Sequence, residues 1–148
     1  MLLGQYNSTI SKKRRVAVPK KFRDELGNKF IVARWYEGCL VAISLENWTK
    51  LLSQLTGSQI IITAPVRDTD RFILGSAYEV EPDEQGRIVL PENLTKYAKF
   101  ESEVTFLGLG NRIELWNKVE WQARENYIAE NAGQLVEELA KGKTSNAE

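Results

Sequence analysis

A decapeptide near the start of the chain returns in its second half, and this repetition restricts the possible folds more than any other feature. Ile10-Ser11-Lys12-Lys13-Arg14-Arg15-Val16-Ala17-Val18-Pro19 is matched by Pro82-Asp83-Glu84-Gln85-Gly86-Arg87-Ile88-Val89-Leu90-Pro91. The offset is constant, since 83 − 11, 87 − 15 and 91 − 19 all give the same difference. Each copy sets a basic residue in a tight turn, follows it with apolar residues at strand period, and ends in proline. Phe22 and Leu94 keep the same offset; after a shift by one position, Ile31 matches Val104, Leu40 matches Ile113, Ile43 matches Trp116 and Trp48 matches Trp121. Stacked solenoids use shorter periods and usually three or more units. Two copies point instead to a closed, two-lobed, pseudo-twofold molecule with two related loops.

Local signals place the elements. Residues 5–10 read as a short strand and 11–15 as the first turn. Pro19 suits a helix start, where its missing N–H costs nothing, and the helix over residues 20–26 stops at Gly27. Residues 30–34 and 39–43 read as strands paired around Glu37-Gly38. Ser44 is placed to cap the next helix, where Trp48, Leu51, Leu52 and Leu55 form one apolar stripe. Residues 57–70 have no repeat partner; Ile60-Ile61-Ile62 extends a strand or helix end, and Pro65 breaks it. Asn117 and Glu120 approach a capping box. Residues 135–140 read as a short terminal helix and 141–148 as a polar, frayed tail. The divisions are 4–56 for the first copy, 57–75 for the connection, 76–131 for the second copy and 132–148 for the C-terminal helix and tail.

Whole-chain charge is zero, yet its distribution is not even. Residues 1–76 carry 12 Lys/Arg against 6 Asp/Glu, and residues 77–148 carry 8 against 14. A net +6 in one half and −6 in the other suits an anionic partner for the first half, or self-association of unlike faces. The lone Cys39 sits in an apolar run, which is packing chemistry, and the lack of disulfides fits a reducing compartment. No apolar run nears the ~20 residues that span a bilayer, and the start lacks the regions of a signal peptide. The chain reads as cytoplasmic, with no membrane partner.

The first turn concentrates positive charge. Lys12, Lys13, Arg14 and Arg15 are adjacent, Lys20, Lys21 and Arg23 follow, and no acid precedes Asp24. Neighbouring cations repel, so such a cluster is suited to phosphates, with the planar Arg fork able to grip phosphate or a guanine edge. The bland alternative is a solvated hairpin tip. The second turn, Asp83-Glu84-Gln85-Gly86-Arg87, is ordinary turn chemistry by itself, with Gly86 free to take positive φ and Asp83 able to brace backbone N–H groups. Its functional weight comes from the repeat.

These residues resemble the MraZ family, bacterial regulators built from two AbrB-type units with two Asp-x-x-x-Arg motifs, each followed by an apolar strand and proline. Asp83–Pro91 matches that pattern in full, Arg71-Phe72 with Gly75-Ser76-Ala77 and Glu79 resembles the lead-in, and Gly108–Trp116 resembles the closing segment. The resemblance spans about residues 4–130. It implies a mixed α+β, β-rich fold: a tandem, duplicated, swapped-hairpin β-barrel with short helices and pseudo-twofold symmetry. It also implies a ring-forming homo-oligomer in the cytoplasm and nucleoid. That ring would bind short direct repeats of double-stranded promoter DNA and repress the division and cell-wall gene cluster. Arg15 and Arg87 are the family-matched arginines; Lys12, Lys13 and Arg14 are expected to add phosphate contacts. The first copy departs, with Ser11 for Asp and Arg14 for Gly. Serine still accepts a backbone hydrogen bond, more weakly than carboxylate, whereas Arg14 fits positive φ poorly, so that turn is expected to adopt another form.

Two other readings compete. A protein-binding scaffold ring would use aromatic residues as interface: Trp35, Tyr36, Trp48, Trp116 and Trp121 suit core or interface, with helical spacing favouring core for Trp48 and Trp121. An AbrB-type antitoxin is the third, opposed by the duplication, because such chains are usually single-copy. An enzyme is disfavoured: the chain has no His, one Cys and no Gly-rich phosphate loop, and Glu79/Glu81 and Asp83/Glu84 read as strand-face and turn residues. No metal, cofactor or small-molecule substrate is expected.

Overall fold

A computed structural model describes residues 1–57 and 63–147, and the chain divides into two compact units, Met1–Lys118 and Val119–Glu148. Ile60-Ile61-Ile62 lies outside the described residues.

Repeated sequence becomes repeated structure within the first unit. The first copy runs β1 (Leu2–Thr9), β2 (Arg15–Ala17), α1 (Lys20–Leu26), β3 (Phe30–Arg34), β4 (Leu40–Ser44) and α2 (Leu45–Leu52). After a π turn and α3 (Ala64–Ile73), the second runs β5 (Tyr78–Val80), β6 (Arg87–Val89), α4 (Glu92–Tyr97), β7 (Glu103–Gly110), β8 (Ile113–Asn117) and α5 (Lys118–Ala147). Strands dominate Met1–Lys118, whereas the 30-residue α5 makes the chain more helical than its sequence leads one to expect.

The copies are not separate lobes. A six-stranded antiparallel sheet has the order β1-β7-β8-β4-β3-β5, and β2 pairs with β6 as a separate two-stranded ribbon. Thus β1 of the first copy pairs with β7 of the second, and β5 of the second pairs with β3 of the first. The two central pairings reveal the pseudo-twofold. In the ribbon Val16 faces Ile88, its own repeat mate. In the sheet Val41 faces Glu114, which is its repeat mate once the shift by one position is applied. Only β2 and β4 thus meet their own equivalents, β6 and β8, and the axis passes through both pairs.

Alternation builds the core. Val16, Val18, Ile88 and Leu90 point inward, as do Phe22 and its repeat mate Leu94, both fully buried. Tyr6 meets Phe22 edge-on at 5.2 Å between ring centroids. A phenylalanine in such a site stabilises the fold by about 1.5–3 kcal/mol from burial alone. Gly108 sits where a Cβ would lie 2.5 Å from the Leu3 nitrogen, so the close approach of β1 to β7 requires glycine.

Several expectations change. The first strand begins at Leu2 rather than residue 5, because its pairing with β7 continues to Gly110. Pro65 occupies the first turn of α3, where proline is tolerated. Arg34 secures the end of that helix: its Nε donates to the Phe72 carbonyl at 3.0 Å, and its guanidinium lies 4.7 Å from the Phe72 ring centre. The helix after Asn117 does not stop at Asn131 or give way to a tail at Lys141, but continues to Ala147. The buried tryptophans are Trp35 and Trp116, whereas Trp48 and Trp121 are half-buried. Ser44 caps α2 as read, accepting the Asn47 N–H at 3.2 Å. Cys39 is buried, its thiol donating to the Tyr36 carbonyl, and burial pushes that thiol well above its ordinary range.

Candidate nucleic-acid interface

The β2–β6 ribbon has one buried and one solvent face. Val16 and Ile88 point inward, so Arg15, Ala17, Arg87 and Val89 share the outer side. Arg15 stands opposite Val89, and Ala17 opposite Arg87. The two arginines thus occupy diagonal corners of a four-residue patch, about 7–8 Å apart by strand geometry and somewhat closer at Cβ. Val89, 53% exposed, and Ala17 occupy its other two corners and are apolar. The signal for these two was the outward phase of the alternation, overshadowed in the sequence by the charges.

Both turns use one backbone frame. Ser11 N–H donates to Arg15 O and Arg14 N–H to Ser11 O, each at 2.9 Å; Asp83 N–H to Arg87 O and Gly86 N–H to Asp83 O repeat these bonds at 2.9 Å. Arg14 takes φ 62°, matching φ 79° at Gly86. The expectation that the first turn adopts another form is therefore overturned. The frame imposes a left-handed residue at that position, and its hydrogen bonds offset the strain. Ser11 still fills the carboxylate's place, since its Oγ accepts the Arg15 N–H at 3.1 Å.

Across the axis the symmetry holds to single bonds. Leu90 N–H donates to Arg14 O at 2.9 Å, and Val18 N–H donates to Gly86 O at 3.0 Å. The carbonyl preceding each proline is then capped by an arginine from a different sequence position. Arg14 Nε reaches Leu90 O at 2.9 Å, while Arg23 Nε from α1 reaches Val18 O at 2.9 Å. Gly86 leaves room for this: a Cβ there would lie 2.5 Å from Arg23 Cζ. Nothing in the sequence marked Arg23 for that role.

The five arginines and lysines singled out in the sequence are differently engaged. Lys12, Lys13 and Arg15 are exposed, and among the described residues their side chains make no hydrogen bond or ion pair. Arg14 is half-buried, its Nε committed to Leu90 O. Arg87 is partly exposed and held by Asp83 Oδ2 at 3.0 Å, while Asp83 Oδ1 accepts the Gln85 and Arg87 N–H groups at 2.9 Å each. Those bonds, led by the Arg87 backbone N–H, hold the Asp83 carboxyl below its ordinary range. Lys96 first, then Arg14, lowers Glu92 likewise. A polar cavity of about 370 Å³ lies beside the second turn, lined by Arg23, Asp24, Gly27, Asn28, Glu81, Pro82 and Asp83. Among the described residues no cluster of three or more His, Cys, Asp or Glu is placed to hold a metal, and no helix is long and apolar enough to cross a membrane.

The family model of the MraZ protein, described as antitoxin-like, matches residues 1–72 and again 73–141. The chain belongs to the MraZ family. A protein of Thermoanaerobacter sp. (strain X514) is 40% identical over 144 residues, covering 94% of this chain and 96% of its own length. Relatives from Acetivibrio thermocellus and Leuconostoc citreum are each 39% identical over 140 residues, covering 95% and 94% of this chain and 97% and 96% of their own. All three bear the name transcriptional regulator MraZ. The two family matches meet between Phe72 and Ile73, in agreement with the internal repeat.

Proposed function

We propose that the chain is a sequence-specific transcriptional regulator that docks the solvent face of the β2–β6 ribbon on double-stranded DNA. The observation that carries this reading is the presence of Arg15 and Arg87 on one exposed ribbon face, beside the cations of the first turn. The major groove admits a two-stranded ribbon, and its base edges match arginine forks. Arg15 and Arg87 contact base or phosphate; Lys12, Lys13 and the terminal nitrogens of Arg14 contact phosphate and set affinity and salt dependence. The name borne by the relatives supports the regulatory role.

The fuller form of the proposal is a repressor of the division and cell-wall gene cluster, cytoplasmic and nucleoid-associated, acting as a ring on short direct repeats in the promoter. A ring joins unlike faces, and weak contacts to successive repeats add through effective concentration. Exchange of β1 and β5 between copies supports a swapped-hairpin barrel, with divisions at 4–56, 57–75, 76–131 and 132–148. No catalysis and no cofactor enter this reading. A protein-binding scaffold is the second reading, favoured by Val119, Val136 and Leu139 of α5, each more than 60% exposed.

Fluorescence anisotropy on duplexes carrying tandem copies of the short repeat upstream of the protein's own gene tests the choice. The regulator predicts preference over a scrambled duplex and binding that weakens steeply with salt. Equal weak binding to both, or none, favours the scaffold.

A further inference from the structure

The two turns share one backbone frame but carry opposite chemistry. The first holds four cations and no acid, with neutral Ser11 at the bracing position and the Arg15 side chain unengaged among the described residues. The second holds two carboxylates, Asp83 and Glu84, around a single Arg87 whose Nε is fixed by Asp83 at 3.0 Å. We propose that this asymmetry divides the work of DNA recognition: the first hairpin supplies phosphate affinity, and the second supplies base discrimination through Arg87, with Asp83 as its positioning residue. The proposal deepens the DNA-binding reading and rests on it.

Three physical consequences support the division. A carboxylate at Nε leaves the terminal Nη1/Nη2 edge of Arg87 unused by that ion pair, and that planar fork matches the O6/N7 edge of guanine. Because the fork is held before binding, less ordering is required on contact. Asp83 and Glu84 also repel phosphate, so the second hairpin gains little from the DNA backbone and discriminates against sequences that offer Arg87 no base acceptor. Arg15, with no carboxylate and three cationic neighbours, suits sequence-independent phosphate contact. The division has a geometric corollary. A ribbon with two equivalent turns reads inverted half-sites equally well, whereas this one docks in a single direction, as direct repeats require.

Wild type, Asp83→Asn and Arg87→Lys would be equilibrated with a randomised duplex pool and the bound fraction sequenced. In parallel, Kd would be measured on one fixed duplex of unenriched sequence at several salt concentrations. Asparagine keeps Oδ1 for the two backbone N–H groups and removes the charge beside Nε, and thermal melting checks that the fold is kept. The expected result is a motif enriched by wild type, with preference at one position reduced about tenfold in Asp83→Asn and in Arg87→Lys. On the unenriched duplex Asp83→Asn is expected to bind about two- to threefold tighter, opposite to the effect of a damaged fold. Ser11→Asp gives an independent arm: a brace transplanted to Arg15 is expected to weaken binding to the unenriched duplex about threefold. An Asp83→Asn motif identical to wild type, or equal weakening on both kinds of duplex, overturns the proposal. So does a wild type that binds the pool without enriching a motif. A wild type that binds no duplex at physiological salt overturns the DNA reading itself.

Discussion

Arg14 occupies a backbone position that favours glycine, at φ 62°, while its side chain caps Leu90 O. Left-handed backbone costs a non-glycine residue about 1–2 kcal/mol, and the capping hydrogen bond returns about 1 kcal/mol. Arg14→Gly therefore changes stability little, and its Tm is expected within a few degrees of wild type. Gly86→Ala has no such offset. It meets the same backbone cost and displaces Arg23 from Val18 O, so chemical denaturation should report a loss of about 1–3 kcal/mol. Asp83 adds a pH dependence. Its folded carboxyl is held below the ordinary 3.8, chiefly by the Arg87 backbone N–H, so the charged form favours folding. That contribution is complete above 3.8 and is lost as pH falls through the folded value. The Tm gap between wild type and Asp83→Ala should thus be constant near neutrality and narrow in strong acid, a trend that calorimetry across pH would register.

At the scale of elements, local chemistry and long-range pairing contribute differently. The strand pair β3–β4, the Ser44 cap and the Gly27 stop were legible because each is decided within a few residues. Ser44→Ala should cost about 1 kcal/mol through loss of the cap, and Phe22→Ala about 3–5 kcal/mol through the cavity it leaves; denaturant midpoints check both. The exchange of β1 and β5 was not legible, since a period-two pattern says which face is buried but not which strand lies alongside. Pro65 was ambiguous for a related reason: proline ends one helix or begins another, and the choice depends on what precedes it. Helix α5 runs through Asn131 and Gly133, residue types that commonly mark a helix end, and its polar composition hid the continuity. Of the candidate site, the charged residues were visible in sequence; the Arg14 and Arg23 caps were not, because Arg14 reaches Leu90 O in the other copy and both bonds end on backbone carbonyls, which carry no side-chain signal.

Over the whole molecule, the pseudo-twofold turns a duplicated sequence into one exposed face. Pairing Val16 with Ile88 sets Arg15 and Arg87 on the same side of a ribbon, an outcome neither copy achieves alone. The unequal charge of the two turns, residues 12–15 against residues 83–87, then gives that face a direction. Arg15→Ala removes an unengaged cation from it and should reduce affinity for a repeat-bearing duplex while lowering the slope of log K against log salt by about 1. The most direct test of the face is Val89→Glu. Val89 is 53% exposed on the outer face and directly opposite Arg15, so the substitution leaves the core intact while placing a carboxylate beside the arginines. Anisotropy at physiological salt should show binding weakened about 30-fold or more, with Tm within a few degrees of wild type. A Kd within about twofold of wild type, in a variant that melts normally, would mean that DNA is held elsewhere and would contradict the assignment of the ribbon.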